Sequence, residues 1–289
     1  MADLGLRPLS LGEVLDRTFS LYRKHFLLFA SIAAIPQVIL LALRLTQTLM
    51  LAAPALGRFP RVPRTAVDTS SAFLSLGILW FFGFAIWGLV YIYAQGGMVS
   101  AASDLYLGHS TTIGTALGKV RGHYLNLVVV VLLGMLALGA AFVCFIIPFF
   151  YVACRLIACL PAAVLEDLGP IDSLERSFSL TRGFAGPAFL IFFLSAVLQY
   201  AAAFLFAAPF SVAMVLSAKH PETMPMWLSL THVGEFIGGV VVGPFLTIAI
   251  AVFYYDLRVR KEAFDLQFML NPTDPLAPQG PSIVPRSLY

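Results

Sequence analysis

Several polar residues lie inside stretches of sequence that are otherwise apolar. The main candidates for a site are Arg155, Gln95 and Gln199, and Gln37, Asn126 and Ser195 are further members of this set. A lone cation at the centre of a bilayer costs about 2.5–3.5 kcal/mol on insertion scales, so it usually faces a partner or water. We therefore predict a polar site inside the membrane around these residues. The structural alternative is that Arg155 bonds backbone carbonyls freed near Pro148 or Pro161, or extends toward lipid headgroups, while the glutamines link neighbouring helices.

Sequence patterns typical of catalysis or metal binding are not found. The chain has no Walker-type glycine loop, no G-x-S-x-G and no H-E-x-x-H. The 5 histidines are scattered singly, and Cys144, Cys154 and Cys159 fall in apolar stretches, which favours a packing role. We expect no catalytic residue, no cofactor and no metal, and an enzyme is the least favoured functional class.

Glu166 and Asp167 form a pair of adjacent carboxylates where an apolar stretch ends. Two carboxylates in proximity can serve as a general acid and base. Their position beside Gly169 and Pro170 favours an interfacial cap that faces Arg176 instead.

The overall composition indicates a bilayer environment. Of 289 residues, 60% are hydrophobic and 11% are charged, whereas an ordinary soluble domain has roughly 45–50% and about 25%. The mean hydropathy is +0.89, so most residues need an apolar surrounding. This composition excludes an ordinary soluble enzyme. The formal net charge of +3 is small, so no nucleic-acid partner is expected.

Six apolar stretches are long enough to cross roughly 30 Å of hydrocarbon at about 1.5 Å per residue. Their approximate bounds are 26–50, 73–100, 125–147, 149–165, 187–216 and 236–255. Only the Ile147–Pro148 region separates the third stretch from the fourth. We predict two crossings there, because residues 125–165 are far too long for a single span.

Most lysines and arginines lie on one side of these six stretches when the N-terminus is placed inside. By the positive-inside rule, this distribution predicts that both termini are cytoplasmic. Basic residues near that surface attract anionic headgroups, with roughly 1 kcal/mol for each. The candidate lipid-headgroup contacts are Arg23, Lys24, Lys119, Arg121, Arg182 and Arg258.

Three short amphipathic segments each precede a pair of apolar stretches. The first begins at a capping box formed by Ser10 and Glu13. Residues 15–23, LDRTFSLYR, match residues 174–182, LERSFSLTR, at six of nine positions, and the middle copy is weaker. We predict three parallel repeats of one surface helix plus a helical hairpin, at about residues 10–107, 108–168 and 169–257.

The predicted fold is an all-α integral membrane protein with six transmembrane helices and three interfacial amphipathic helices. Residues 1–270 form one membrane domain, whose last part, after residue 257, is an amphipathic segment. Residues 271–289 are rich in proline and lack a hydrophobic period, which predicts a disordered cytoplasmic tail. The start of the chain lacks the pattern of a secretory signal, so no cleavage is expected.

Glycine and proline within the stretches predict local helix geometry. Gly239 and Gly243 form a small-xxx-small pair, which favours close helix packing, with a broken transporter helix as the alternative. Pro36, Pro209 and Pro244 predict kinks.

Three segments carry a resemblance to a known family: LSLGEVLDRTFSLYRKHF, LEDLGPIDSLERSFSLTRG and FYYDLRVRKEAFDLQFML. They resemble the membrane domain of the glycerophosphoryl diester phosphodiesterase membrane-domain family and related uncharacterised bacterial inner-membrane proteins. The resemblance covers the chain up to about Leu270. It implies a multi-pass protein of the bacterial inner membrane. The soluble phosphodiesterase domain of some members is not in this sequence, so their activity is not carried over.

The function expected from these observations is that of a non-enzymatic scaffold or accessory subunit that contacts lipids or a membrane protein complex. The alternative is a transporter that moves a lipid or small solute through a polar interior containing Arg155. A scaffold predicts a closed bundle core, and a transporter predicts a continuous cavity. The expected partners are membrane lipids, with other membrane proteins or a second copy of the chain as alternatives.

Overall fold

The computed structural model describes residues 7–52 and 66–264, and every regular element in those ranges is helical. This confirms the all-α class. The predicted tail at 271–289 and the end of the preceding amphipathic segment lie outside the described residues. The helices are α1 Leu11–Lys24, α2 Phe26–Ala52, α3 Ala66–Tyr106, α4 Ile113–Arg121, α5 Tyr124–Cys144, α6 Ile146–Leu156, α7 Cys159–Leu165, α8 Pro170–Leu180, α9 Ala185–Leu216 and α10 Met224–Glu262.

Six helical segments in the described ranges are long and apolar enough to cross a membrane, which confirms the predicted number and order. The longest, in α10, has 39 residues and extends beyond the predicted 236–255. About 20 residues suffice to span the hydrocarbon, so α10 also reaches past it. The segments are Phe26–Met50, Gly77–Tyr106, Tyr124–Cys144, Ile146–Leu165 (α6 with α7), Ala185–Leu216 and Met224–Glu262.

The third and fourth spans are divided at Phe145, whereas the sequence pointed to Ile147–Pro148. Phe145 is extended, with φ 177° and ψ 167°, and it separates α5 from α6. Pro148 lies in the first turn of α6, where a missing N–H is tolerated because it has no intrahelical partner. The proline therefore belongs to the start of the next helix.

Contacts between the start of the third span and the end of the fourth show that the two spans run in opposite directions. Asn126 Nδ2, near the start of α5, donates to the carbonyl of Leu168, just after α7, at 2.7 Å. His123 Nδ1 lies 2.6 Å from a carboxylate oxygen of Asp167. Since α5 begins where the α6–α7 segment ends, residues 124–165 cross the bundle twice, as the sequence predicted.

The short helices α1 and α4 lie at the end of the bundle where α3 ends. Arg17 Nη1 donates to Tyr106 Oη at 3.1 Å, and Lys119 Nζ lies 2.7 Å from Asp104 Oδ1. The predicted capping box at the start of α1 is present, and α4 begins with a similar pair that the sequence analysis did not identify. We call this end of the molecule the surface-helix end and the opposite end the far end.

The last turns of α10 also lie at the surface-helix end. The backbone N–H of Leu9 donates to Asp256 Oδ1 at 2.7 Å, and Arg260 Nε donates to Asp256 Oδ2 at 2.8 Å. Arg176 of α8 forms an ion pair with Glu262. The first described residues, all three short helices and the end of α10 therefore share one end of the bundle.

A network of charged side chains joins α7, α8 and α10 at this end. Arg176 is bidentate to Glu166, at 2.7 and 2.8 Å, and also pairs with Glu262, which confirms that Glu166 faces Arg176. Tyr254 donates to Glu166, and Arg258 Nε lies 3.1 Å from Glu262 Oε2. Burial alone would lower the pKa of Arg176, but the hydrogen bonds and charges of Glu262 and Glu166 outweigh it and raise that pKa above its ordinary value.

Helix α10 forms the core of the bundle and packs most extensively against α9. At Gly234 the backbones come so close that a Cβ atom would overlap the carbonyl of Phe206, and at Gly238 a Cβ would lie 3.6 Å from the backbone of Ala202. The closest approach of these two backbones is therefore at Gly234 and Gly238, five residues before the predicted pair. Of that pair, Gly239 packs closely against the Gln37 side chain of α2, as predicted, whereas Gly243 has nothing within 4 Å of its Cβ position.

Candidate intramembrane cavity

A cavity of about 930 Å³ opens inside the bundle between α2, α3, α6, α9 and α10. Its walls are mostly apolar and include aromatic rings from four helices. It is lined by Ala33, Pro36, Gln37, Trp87, Tyr91, Ala94, Gln95, Met98, Ile147, Phe149, Phe150, Ala153, Cys154, Phe189, Phe192, Phe193, Ser195, Ala196, Gln199, Gly239, Val242, Gly243, Phe245 and Leu246. Ligand sites usually have volumes of roughly 300–1,000 Å³, so this space is large enough for a ligand.

Small side chains and interrupted helices create this space. Gly243 has nothing within 4 Å of the position where its Cβ would lie, so no side chain fills that part of the cavity. Ala153 and Ala196 extend only a methyl group from α6 and α9. Pro36 lies inside α2, and because it has no N–H, it leaves a carbonyl of the preceding turn without its helical donor.

Polar side chains from three helices line the apolar walls. Thr247 Oγ1 donates to Gln95 Oε1 at 2.5 Å, which links α10 to α3. A Cβ added to Gly239 would lie 2.8 Å from Gln37 Nε2, so the Gln37 amide sits directly against α10. Gln199 of α9 lines the same cavity. The structure thus places two of the three residues of the predicted intramembrane site, Gln95 and Gln199, around one space.

Two buried polar atoms on the cavity wall make no hydrogen bond to any described residue. They are Ser195 Oγ, in a residue that is only 8% exposed, and Trp87 Nε1. A buried polar group without a partner costs about 1–3 kcal/mol, so nearly all such groups in proteins are paired. Both residues line the cavity, although the two polar atoms themselves are covered by neighbouring protein atoms.

A second pocket, of about 250 Å³, adjoins the cavity toward the far end. It shares Gln37, Gln199 and Gly239 with the larger cavity. Its remaining lining includes Arg44 and Glu235, which form an ion pair, and His232, whose Nδ1 lies 3.6 Å from Glu235 Oε2. The lining residues are Gln37, Leu40, Leu41, Arg44, Gln199, Ala203, His232, Glu235, Phe236, Gly238 and Gly239.

The sequence analysis did not identify this charged group. Arg44 lies within the predicted span 26–50, and Glu235 immediately precedes the predicted span 236–255. Opposite charges at the same end of two spans are a signal that could have paired them, because charges at membrane depth are usually partnered.

Arg155 is not among the described residues that line either space. It is 9% exposed and lies near the surface-helix end, with its guanidinium 5.1 Å from the ring centre of Phe178. Its backbone carbonyl, where α6 ends before α7, accepts hydrogen bonds from Ser177 Oγ at 2.7 Å and Thr181 Oγ1 at 3.1 Å. The structure therefore does not bring Arg155 together with Gln95 and Gln199.

Five of the six predicted headgroup contacts lie on the outside of the surface-helix end. Arg23, Lys24, Lys119, Arg121 and Arg182 are exposed there. Arg258 differs from the expectation, because it is 8% exposed and its guanidinium lies among Glu262, Tyr254 and Phe264. Its charge is balanced inside the protein, which leaves it unsuited to a headgroup contact.

The described residues contain no group of three or more His, Cys, Asp or Glu side chains able to hold a metal ion. No protein-family model, curated protein or solved structure matches the chain.

Proposed function

We propose that this protein is a non-enzymatic membrane protein that binds one lipid molecule inside its helical bundle. The observation that carries the proposal is the cavity of about 930 Å³ with apolar walls and the unpaired polar atoms Ser195 Oγ and Trp87 Nε1. Apolar walls suit acyl chains, and the two unpaired donors belong to residues of the same walls, where a small side-chain rotation would expose them to a lipid ester. A small polar solute would need more polar contacts than these walls offer.

An accessory or scaffold role is the form of this function that we favour, with the bound lipid completing the bundle core. A second candidate is lipid transport, which the adjacency of the cavity and the charged pocket supports. In a transporter, the lipid would pass Gln37 and Gln199, and Arg155 would lie outside its path. The accessory role and the transport role both require a lipid bound in the cavity.

The membrane setting is part of the proposal. We place the protein in the bacterial inner membrane with the surface-helix end in the cytoplasm, since exposed arginines and lysines gather at that end. The alternation of one short helix with two spans, three times along the chain, and the matching segments LDRTFSLYR and LERSFSLTR support three parallel repeats. The resemblance to the glycerophosphoryl diester phosphodiesterase membrane-domain family is consistent with this setting.

The proposal is tested by filling the cavity with a side chain. Gly243→Phe places a ring in the empty part of the cavity, and Gly139→Phe places the same ring on an exposed position of α5 with nothing within 4 Å. Each protein is purified in a mild detergent, and the extracted phospholipid is quantified per mole of protein. We expect about one tightly held lipid in the wild type and in Gly139→Phe, and at least a several-fold loss in Gly243→Phe.

Equal lipid content in Gly243→Phe and Gly139→Phe would contradict the proposal, as would a wild-type protein that retains no lipid after extensive washing. Circular dichroism of both variants checks that the helical content is unchanged. Transport is distinguished from an accessory role by lipid flipping in reconstituted vesicles, where only a transporter accelerates movement between leaflets.

A further inference from the structure

We infer that the charged pocket formed by Arg44, Glu235 and His232 binds the zwitterionic headgroup of the lipid, of the phosphoethanolamine type. This inference rests on the proposed function, because it assigns the headgroup of the lipid whose acyl chains occupy the cavity. It adds a binding site and a chemical class of ligand.

The pocket and the cavity are positioned for the two parts of one amphiphile. They share Gln37, Gln199 and Gly239 as lining residues, so the two spaces lie next to each other. A lipid that occupies both must pass the Gln37 side chain, which lies against Gly239. Along α2, Gln37 lies 11 residues and Arg44 lies 18 residues beyond Phe26. At about 1.5 Å per residue, Gln37 is roughly 16 Å and Arg44 roughly 27 Å from the surface-helix end of the span.

These depths match a lipid in its ordinary orientation. The hydrocarbon is roughly 30 Å thick, so Gln37 lies near the bilayer midplane and Arg44 near the opposite interface. A headgroup beside Arg44 would therefore remain at the level of other headgroups, while the chains descend past Gln37 into the apolar cavity. The lipid belongs to the leaflet at the far end of the protein.

The charges of the pocket favour a headgroup that carries both signs. Arg44 and Glu235 give the pocket one positive and one negative side chain, each about one third exposed. Arginine binds phosphate oxygens with paired N–H donors, and a carboxylate accepts hydrogen bonds from an ammonium group. A zwitterion satisfies both, whereas an anionic headgroup would leave Glu235 facing added negative charge.

His232 lies on the same wall of the pocket. Its Nδ1 is buried and makes no hydrogen bond within the described part of the chain, although Glu235 lies 3.6 Å away. The pocket volume of about 250 Å³ equals that of about eight water molecules in the liquid. Phosphoethanolamine, with about eight non-hydrogen atoms, is of matching size.

The experiment is a competition between two lipids that differ only in the headgroup. Native mass spectrometry of the full chain in detergent measures occupancy by phosphatidylethanolamine and phosphatidylglycerol with identical acyl chains. We expect the wild type to prefer the zwitterionic lipid by about tenfold. Glu235→Gln gives the pocket a net positive charge and should shift the preference toward phosphatidylglycerol. Glu13→Gln makes the same substitution in a more exposed ion pair at the opposite end and serves as the matched control.

A soluble competitor separates a lipid site from a site for a free zwitterion. Phosphoethanolamine without acyl chains should fail to displace the lipid at equal concentration, because it gains nothing from the cavity. Displacement by it would overturn the assignment of a lipid as the ligand.

The outcomes distinguish this inference from the proposed function. Lipid that is retained without headgroup preference in the wild type overturns the headgroup assignment and leaves lipid binding intact. A preference that is unchanged in Glu235→Gln also overturns it. A protein that retains neither lipid contradicts the proposed function itself. The wild-type preference tests the inference even where Glu235→Gln does not fold.

Discussion

Arg176 and Asp256 at the surface-helix end have partners within the protein, whereas Ser195 on the cavity wall has none among the described residues. The difference concerns these groups and not the whole end, because Arg155 Nε and Arg258 Nη1 there also make no hydrogen bond within the described residues. At the surface-helix end, Arg176 is held by Glu166 and Glu262, and the Asp256 carboxylate accepts from both Leu9 and Arg260. In the cavity, Ser195 Oγ has no partner among the described residues. Side chains that are fully paired within the protein fix one arrangement, whereas unpaired groups beside an open space favour an added molecule.

This difference indicates that one part of the bundle holds the helices together and another part binds the proposed ligand. The helices are fixed to each other by ion pairs at one end and by the close contact of α9 and α10 at Gly234. The middle of the bundle can then remain partly open without loss of the helix arrangement. Binding sites are commonly less stable than the rest of a protein, since they retain groups that only a ligand satisfies.

The largest effect on stability is expected from breaking the Arg176 network. Arg176→Gln removes the bidentate partner of Glu166 and leaves Glu166 and Glu262 beside Arg258, whose Nε lies 3.6 and 3.1 Å from them. Loss of one partner of a buried ion pair costs roughly 3–5 kcal/mol, and we expect about 3 kcal/mol here because 24% of the Arg176 side chain is exposed. Thermal unfolding in detergent, followed by circular dichroism, measures the change.

Arg7→Gln is the matched control, since Arg7 pairs with Glu13 but its side chain is 66% exposed. Exposed pairs contribute about 0–1 kcal/mol, so this variant should unfold close to the wild type. Equal destabilisation by both variants would remove the distinction between the buried Arg176 network and an exposed ion pair at the same end.

A smaller loss is expected where α9 and α10 meet. Gly234→Ala forces a methyl group onto the backbone carbonyl of Phe206, and such overpacking costs about 1–3 kcal/mol. Gly238→Ala is the control, because its Cβ would lie at an ordinary 3.6 Å from Ala202. A melting temperature that falls equally in both variants, or in neither, would show that the backbone contact at Gly234 does not hold the bundle together.

The sequence was sufficient to predict the spans and the capping box of α1. Hydrophobic length determines a span, and Ser10 with Glu13 is a local signal that needs no tertiary information. The break at Phe145 was misplaced because a proline is a visible signal, whereas an extended phenylalanine carries none.

The candidate site was only partly predictable, because its position depends on contacts between helices that are distant in the sequence. Gln95 and Gln199 were identified because polar residues in apolar stretches stand out, and both line the cavity. The direction in which a residue points depends on how its helix is rotated within the bundle, and the sequence alone does not determine that rotation. The sequence therefore could not show that Arg155 lies outside the cavity that Gln95 and Gln199 line. The pairing of Arg44 with Glu235 joins residues 191 positions apart, and no local pattern reports such a contact.

The smallest effect is expected at the start of α1. Ser10→Ala removes the hydroxyl that accepts the N–H of Glu13 at 3.3 Å, and loss of an N-cap typically costs about 1 kcal/mol. Hydrogen exchange of the amides in the first turn of α1 should therefore speed up about fivefold, which corresponds to that free energy, while exchange in α10 stays unchanged. Unchanged exchange in α1 would mean that packing, and not the cap, determines where this helix begins.

The same helix start gives a pH dependence with a definite sign. The backbone hydrogen bond from Ser10, then its side-chain hydrogen bond and the Arg7 charge, lower the pKa of Glu13 below its ordinary value. A lowered pKa means that ionised Glu13 stabilises α1 above the ordinary carboxyl pKa, and that this contribution is lost as the pH falls through the lowered value. Glu13→Gln keeps the capping geometry but removes the charge. Exchange in the first turn of α1 should consequently be faster in Glu13→Gln than in the wild type at pH 7, and the difference should vanish once the pH lies below the lowered pKa of Glu13. A difference that persists at low pH would assign the effect to the shape of the side chain, since the glutamate is then protonated and both side chains are neutral.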